Sequence, residues 1–232
     1  MRTHIAMAVV LLSGLAVLAQ ETPAPAPEKP KAGEKPAKEE TLEELLQRIE
    51  KAHKEHKDFQ GNFDQEKFLP LFGDKINSSG RFVFKKPDKV RWEYQKPHES
   101  ILVVTGETGK KWSRATDRTE SVKLADDRGL DAVVKQLFTW FKGEFTKLKD
   151  DYEVEIASRK PVRLKMTPRK DAVKKFIATI EVQFAEGEDV ITSVKLIEPM
   201  QTGDVQAGYT HYTFKDTSLD KDVADSEFEI AK

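Results

Sequence analysis

Cysteine is absent from the 232 residues. Without it the chain has no disulfide, no catalytic thiol, no thiolate metal site and no cysteine to carry a lipid. An excess of one charge is lacking too, because 39 Lys and Arg stand against 40 Asp and Glu for a formal net charge of -1. The whole molecule therefore presents no long-range field toward nucleic acid or an anionic surface. Long hydrophobic runs are missing apart from 14 uncharged residues, Ile5 to Leu18, fewer than the ~20 that span a bilayer core. A mean hydropathy of -0.60 places the chain among soluble proteins of one or at most two domains.

Catalytic motifs are also missing. The chain contains no Gly-x-Ser-x-Gly elbow and no His-Glu-x-x-His, and His98 and His211 stand alone with no nucleophile motif beside them. His53 and His56, with Glu50 three residues earlier, have the spacing of a helical metal pair. They lie in the charged run KAHKEHKD, where histidine near a helix C-terminus is favourable without metal. Gly106-Glu-Thr-Gly109-Lys110 has glycines too close together for a phosphate loop and no hydroxyl residue after the lysine, so it reads as a hairpin turn. The pairs Lys85-Lys86, Lys110-Lys111 and Lys174-Lys175 lack neighbouring glycines and a stacking platform for bases. No enzyme, metal, cofactor or nucleic-acid partner is expected.

What is present begins with two unusual segments. Met1 to Ala19 has a short basic start at Arg2, the apolar stretch, and Val17-Leu18-Ala19 before a cleavage point, which reads as a secretory signal. Residues 20–40 hold five of the eleven prolines and no large apolar side chain, the composition of an extended, disordered linker. The folded domain is expected over residues 41–232. All 20 aromatics lie from Phe59 onward.

In that domain Thr41 and Glu44 form a capping box ahead of Leu42, Leu45, Leu46, Ile49 and Ala52, predicting an amphipathic helix to about Lys57. Alternating segments follow: Phe59, Gly61 and Phe63; Phe82 and Phe84; Val90, Trp92 and Tyr94; Ile101 and Val103. Turn residues such as Asn77-Ser78-Ser79-Gly80, Lys96-Pro97 and Thr105-Gly106 are expected between them. Connections this short leave no room for crossover helices, so the sheet is antiparallel. The alternation breaks once, at residues 130–141, where Leu130, Val133, Val134, Leu137, Phe138 and Phe141 fall at helical spacing between Gly129 and Gly143. Strands resume over 152–156, 162–166, 176–184, 190–197 and 209–214 and run on toward Phe228. The expected fold is mainly β with helices (α+β), a large curved antiparallel sheet with helices on one face.

Read at period 2, Val90, Trp92 and Tyr94 point to one face while Arg91, Glu93 and Gln95 point to the charged other. Aromatics facing helices suit first an ordinary filled core, with a half-open barrel under a helical lid and around a ligand cavity as the alternative.

Residues 80–106, GRFVFKKPDKVRWEYQKPHESILVVTG, resemble the outer-membrane lipoprotein carrier protein family (LolA). Lys85-Lys86-Pro87, Trp92, Pro97 and Glu99-Ser100-Ile101-Leu102-Val103 match the family's string in order and spacing, and weaker agreement covers roughly residues 41–230. The resemblance implies an incomplete β-barrel closed by a helical lid around an apolar cavity. It implies a periplasmic chaperone, monomeric and exported, that carries lipidated N-termini from an inner-membrane ABC-type exporter to an outer-membrane acceptor lipoprotein. On it, Phe63, Phe82, Phe84, Val90, Trp92 and Tyr94, with Leu137, Phe138 and Phe141 of the lid, hold the acyl chains. The family commonly has an arginine before the proline that locks the lid; here it is Lys86, which lacks the planar fork. The same fold also serves lipid-binding sensors and interaction domains that do not shuttle, which is the alternative.

Overall fold

The capping box forms as read: the Thr41 hydroxyl accepts from the Glu44 amide at 3.3 Å and the Glu44 carboxylate accepts from the Thr41 amide at 2.7 Å. It starts helix α1, Leu42–Lys54, whose stripe of Leu45, Leu46 and Ile49 is fully buried. The helix stops at Lys54, so His56 lies beyond it. These positions come from a computed structural model that describes residues 39–126, 134 and 138–230. The chain divides into two units, Met1–Glu39 and Glu40–Lys232. The signal, the linker up to residue 38, and Leu137 with most of residues 130–137 lie outside the described residues.

Eleven antiparallel strands form one sheet in the order β6-β5-β4-β3-β2-β1-β11-β10-β9-β8-β7. They are β1 Asp58–Leu69, β2 Asp74–Lys85, β3 Lys89–Lys96, β4 Ser100–Thr105, β5 Thr108–Ser113, β6 Arg118–Lys123, β7 Tyr152–Arg159, β8 Val162–Pro168, β9 Thr179–Phe184, β10 Ile191–Ile197 and β11 Tyr209–Leu219. The chain enters at the centre, meanders out to β6, reappears at the far edge as β7, and meanders back to pair β11 with β1. β6 and β7 are not paired with each other, so the sheet is not closed into a barrel. Residues 124–151 join the two edges, and their helical part, including residues 138–142, packs on the inner face.

Three local expectations are corrected. Asn77 to Gly80 is not a turn but the middle of β2; the hairpin turns instead at residues 70–73. Gly80 is there because a Cβ would lie 1.9 Å from the Glu93 carbonyl oxygen and 2.9 Å from the Phe63 ring, a close approach of strands rather than a reversal. The strand expected from Phe176 begins at Thr179, after a helical turn at Asp171–Lys174. Phe228 belongs to a 3-10 turn, Asp225–Phe228, and not to a strand.

The buried side chains form three clusters. α1, Trp140, Phe145 and Leu148 pack on β7 to β10 around Phe184, Leu164 and Met166. The aromatic half, β1 to β3, meets Val134, Phe138 and Phe141. The third lies on the outer face, where Val223 and Phe228 of the C-terminal segment cover Val83 and Val103. That segment is held by Arg91, whose Nη1 donates to the carbonyls of Glu227 at 3.1 Å and Glu229 at 3.0 Å. The outer face, expected to be highly charged, thus also carries an apolar patch that is covered.

Candidate functional site

Strand parity places Phe59 and Phe63 of β1, Phe82 and Phe84 of β2, and Val90 and Trp92 of β3 on the inner face, in one cluster with Phe138 and Phe141. Tyr94 packs at its margin, half-buried. The sequence reading assembled most of this set. It missed Phe59 as a site residue although Phe59 shares the period of Phe63, and it missed Tyr212 and Phe214, which alternate on β11 and face the same rings.

The rings interlock. Trp92 stacks on Phe63 at 4.4 Å between centroids and Phe141 stacks on Phe84 at 4.6 Å. Phe138 meets Phe84 at 5.6 Å, and Phe141 meets Phe59 at 5.6 Å and Phe82 at 5.8 Å. Among the described residues a void of about 10 Å³ lies beside His53, Phe59, Phe82, Trp140 and Phe141. One water needs about that much, so this void by itself does not hold an acyl chain. The described part of the helix lies over the aromatic face, with Phe138 and Phe141 packed among its rings.

Its C-terminal end is fastened to α1. Gly143, at φ +73°, lies so close to α1 that a Cβ would come within 2.6 Å of the His53 Cβ. The Glu50 carboxylate accepts from the Thr146 amide at 3.1 Å and hydroxyl at 2.7 Å. Lys86 binds α1: its ammonium donates to the carbonyls of His53 at 2.8 Å and Lys54 at 3.4 Å. A cation there completes the helix C-terminus, and partial burial lowers its pKa from the ordinary lysine value.

Polar groups inside are few. His53 is 1% exposed, set against Phe59, Phe145 and Phe184. Burial lowers its pKa to about 4, helped by the Lys86 charge and opposed by an Ile49 backbone hydrogen bond and by Asp189. The ring is therefore neutral at pH 7. His56 instead puts Nδ1 2.7 Å from Asp220 Oδ2, so the two histidines do not converge on a metal. Tyr94 donates its hydroxyl to Gln65 Oε1 at 2.5 Å. Burial raises the Tyr212 pKa, keeping that hydroxyl protonated.

One histidine is less isolated than the sequence suggested. On the outer face His211 Nε2 lies 2.8 Å from Ser193 Oγ. A serine on a histidine needs a third group to orient the ring. Glu66, whose charge acts on His211, is already engaged by the Tyr209 hydroxyl at 2.6 Å and Lys75 at 3.1 Å. The contact is a polar link between neighbouring strands β10 and β11.

The outer membrane lipoprotein carrier protein LolA family model matches residues 54–231. No curated protein matches the chain. Similar solved structures include a DUF1329 family protein from Desulfovibrio piger, 10% identical, covering 81% of this chain and 95% of that one at a TM-score of 0.45. A LolA superfamily protein from Nitrosomonas europaea is 10% identical, over 82% of this chain and 98% of that one, at 0.40. The Pseudomonas aeruginosa MucA/MucB complex contains a chain 18% identical, over 82% of this chain and 60% of that one, also at 0.40.

Proposed function

The chain belongs to the outer membrane lipoprotein carrier (LolA) family, and from that premise we propose that it is an exported carrier that shelters the acyl chains of lipoproteins on their way from the inner to the outer membrane. The observation that carries this reading is the aromatic face of Phe59, Phe63, Phe82, Phe84 and Trp92, covered by a single helical segment through Phe138 and Phe141. A chain sheltered there is held by burial alone, at ~0.8 kcal/mol per CH₂, so an acceptor with a better apolar site draws it out without chemistry. Binding displaces residues 138–142, and the ring contacts they lose are replaced by contacts with the acyl chain. On this reading the protein works in the periplasm between an ABC-type exporter and an acceptor lipoprotein.

The packing of Phe138 and Phe141 on the aromatic face gives a second reading a footing: a LolA-fold sensor or interaction domain, opened by lipid, that reports on the envelope without shuttling. Incubation with inner-membrane spheroplasts separates the two. A carrier brings lipoproteins into the soluble fraction, and mass spectrometry of the recovered protein finds them bound. Bound lipid with no released lipoprotein removes the carrier reading and leaves the sensor. In either case Trp92→Glu and Phe138→Glu are expected to abolish acyl binding; unchanged binding would show that the aromatic face is not the site.

A further inference from the structure

Among the described residues six large apolar side chains stand exposed: Leu71 by 85%, Phe72 69%, Ile76 46%, Phe176 73%, Met200 60% and Val205 99%. Scattered singly they would need no explanation. They are not scattered. β1 ends at Leu69 opposite Asp74, and its Phe68 pairs with Tyr209. Tyr209 pairs with Ile197, and Ile197 with Thr179. The connections 70–73, 198–208 and 169–178 therefore leave the sheet at the same end, and all six side chains lie on them or just inside β2.

Two of these connections are shaped to project. The amides of Phe72 and Gly73 both donate back to the Leu69 carbonyl, at 3.1 and 3.0 Å, which turns Leu71 and Phe72 outward. At Gly73 and Gly203, with φ of +66° and +96°, a Cβ would meet nothing within 4 Å. The hairpin and the second connection touch, since a Cβ on Gly208 would lie 3.2 Å from Pro70 Cδ.

The third connection carries the charge. Residues 169–178 contain Arg169, Lys170, Lys174 and Lys175 against Asp171 alone. Arg169 is tied to the carbonyls of Lys149 and Tyr152, Lys170 to Asp151, and Lys174 to Asp171. In the neighbouring connection Asp204 is turned back onto the Gln201 amide.

We propose that this end of the sheet docks on the interfacial zone of an anionic bilayer, with Leu71, Phe72 and Val205 entering the acyl boundary and the lysines beside Phe176 meeting headgroups. Protein partners pack against continuous, shape-matched surfaces, whereas these side chains project from three separate connections. Lipid adapts to such wedges, and apolar tips flanked by cations are how peripheral proteins hold to it. The inference goes beyond the carrier reading and does not require it. Tyr94, at the margin of the aromatic cluster, pairs with Gly80 on the stretch of β2 leading to this same end.

Sedimentation of the full chain with protein-free vesicles tests it, using phosphatidylglycerol with phosphatidylethanolamine against phosphatidylcholine alone. The chain is expected to sediment with the anionic vesicles, less so as salt rises. Leu71→Asp with Phe72→Asp is expected to lower the bound fraction about tenfold or more, Val205→Asp several-fold, and Lys174→Glu with Lys175→Glu to weaken binding to anionic vesicles only. Thermal midpoints stay at the wild-type value because these side chains are exposed. All variants share one N-terminus, so the difference reads the tips. No sedimentation with either vesicle, equal sedimentation of the tip variants, or binding only to vesicles that contain membrane proteins would overturn the proposal. None of these outcomes depends on acyl binding in the aromatic cluster.

Discussion

His53 shows what one residue contributes when neutral and buried. Its pKa is about 4 in the folded protein against 6.5 ordinarily, so unfolding takes up a proton between those values. Stability that is complete above pH 6.5 falls as the pH drops through the window and levels off below about 4, by roughly 3 kcal/mol. The thermal midpoint of the wild type is expected to drop more steeply than that of His53→Leu over this range; parallel curves would show that His53 does not titrate there. Gly80 is constrained by space instead. With the Glu93 carbonyl oxygen 1.9 Å from any Cβ, Gly80→Ala has to part β2 from β3. A loss of about 3 kcal/mol or more in chemical denaturation is expected. Trp92 and Tyr94 were legible from alternation alone; the role of Gly80 was not, because its steric demand comes from a strand thirteen residues away.

At the scale of elements, two attachments decide what moves. The mid-chain helix is joined to α1 through Glu50, which accepts from the Thr146 amide and hydroxyl. Glu50→Ala removes both bonds and is expected to speed amide hydrogen exchange over residues 138–147 about fivefold to tenfold, from ~1 kcal/mol of local stability lost. Exchange in β8 and β9 should stay as it was. The C-terminal segment is the second attachment: Phe228, 7% exposed, covers Val83 and Val103 on the outer face. Phe228→Ala is expected to cost about 3 kcal/mol in a denaturant titration while leaving acyl binding intact. Sequence periodicity found α1 because four turns of stripe and a capping box agree. It could not find this segment, which has no period and is defined only by the valines it covers.

For the whole molecule the opposition is between a filled core and a ligand chamber. On the proposed carrier reading, ligand and helix compete for one apolar face, since Phe138 and Phe141 already pack on its rings. Phe141→Ala is therefore expected to act in two directions at once. Stability falls by about 3 kcal/mol as a cavity opens, while binding of a fluorescent fatty acid strengthens, since less ring contact has to be displaced. Weaker binding in that variant would count against competition. By itself the sequence determined the antiparallel sheet, helix α1 and the aromatic face, because each follows from short-range period and capping that operate within a few residues. Only the tertiary structure decided that the chain enters the sheet at its centre, that Lys86 closes α1, and that six exposed apolar side chains among the described residues share one end. Those outcomes depend on which strands become neighbours, and pairing β1 with β11 joins residues about 150 positions apart, beyond the reach of any local pattern.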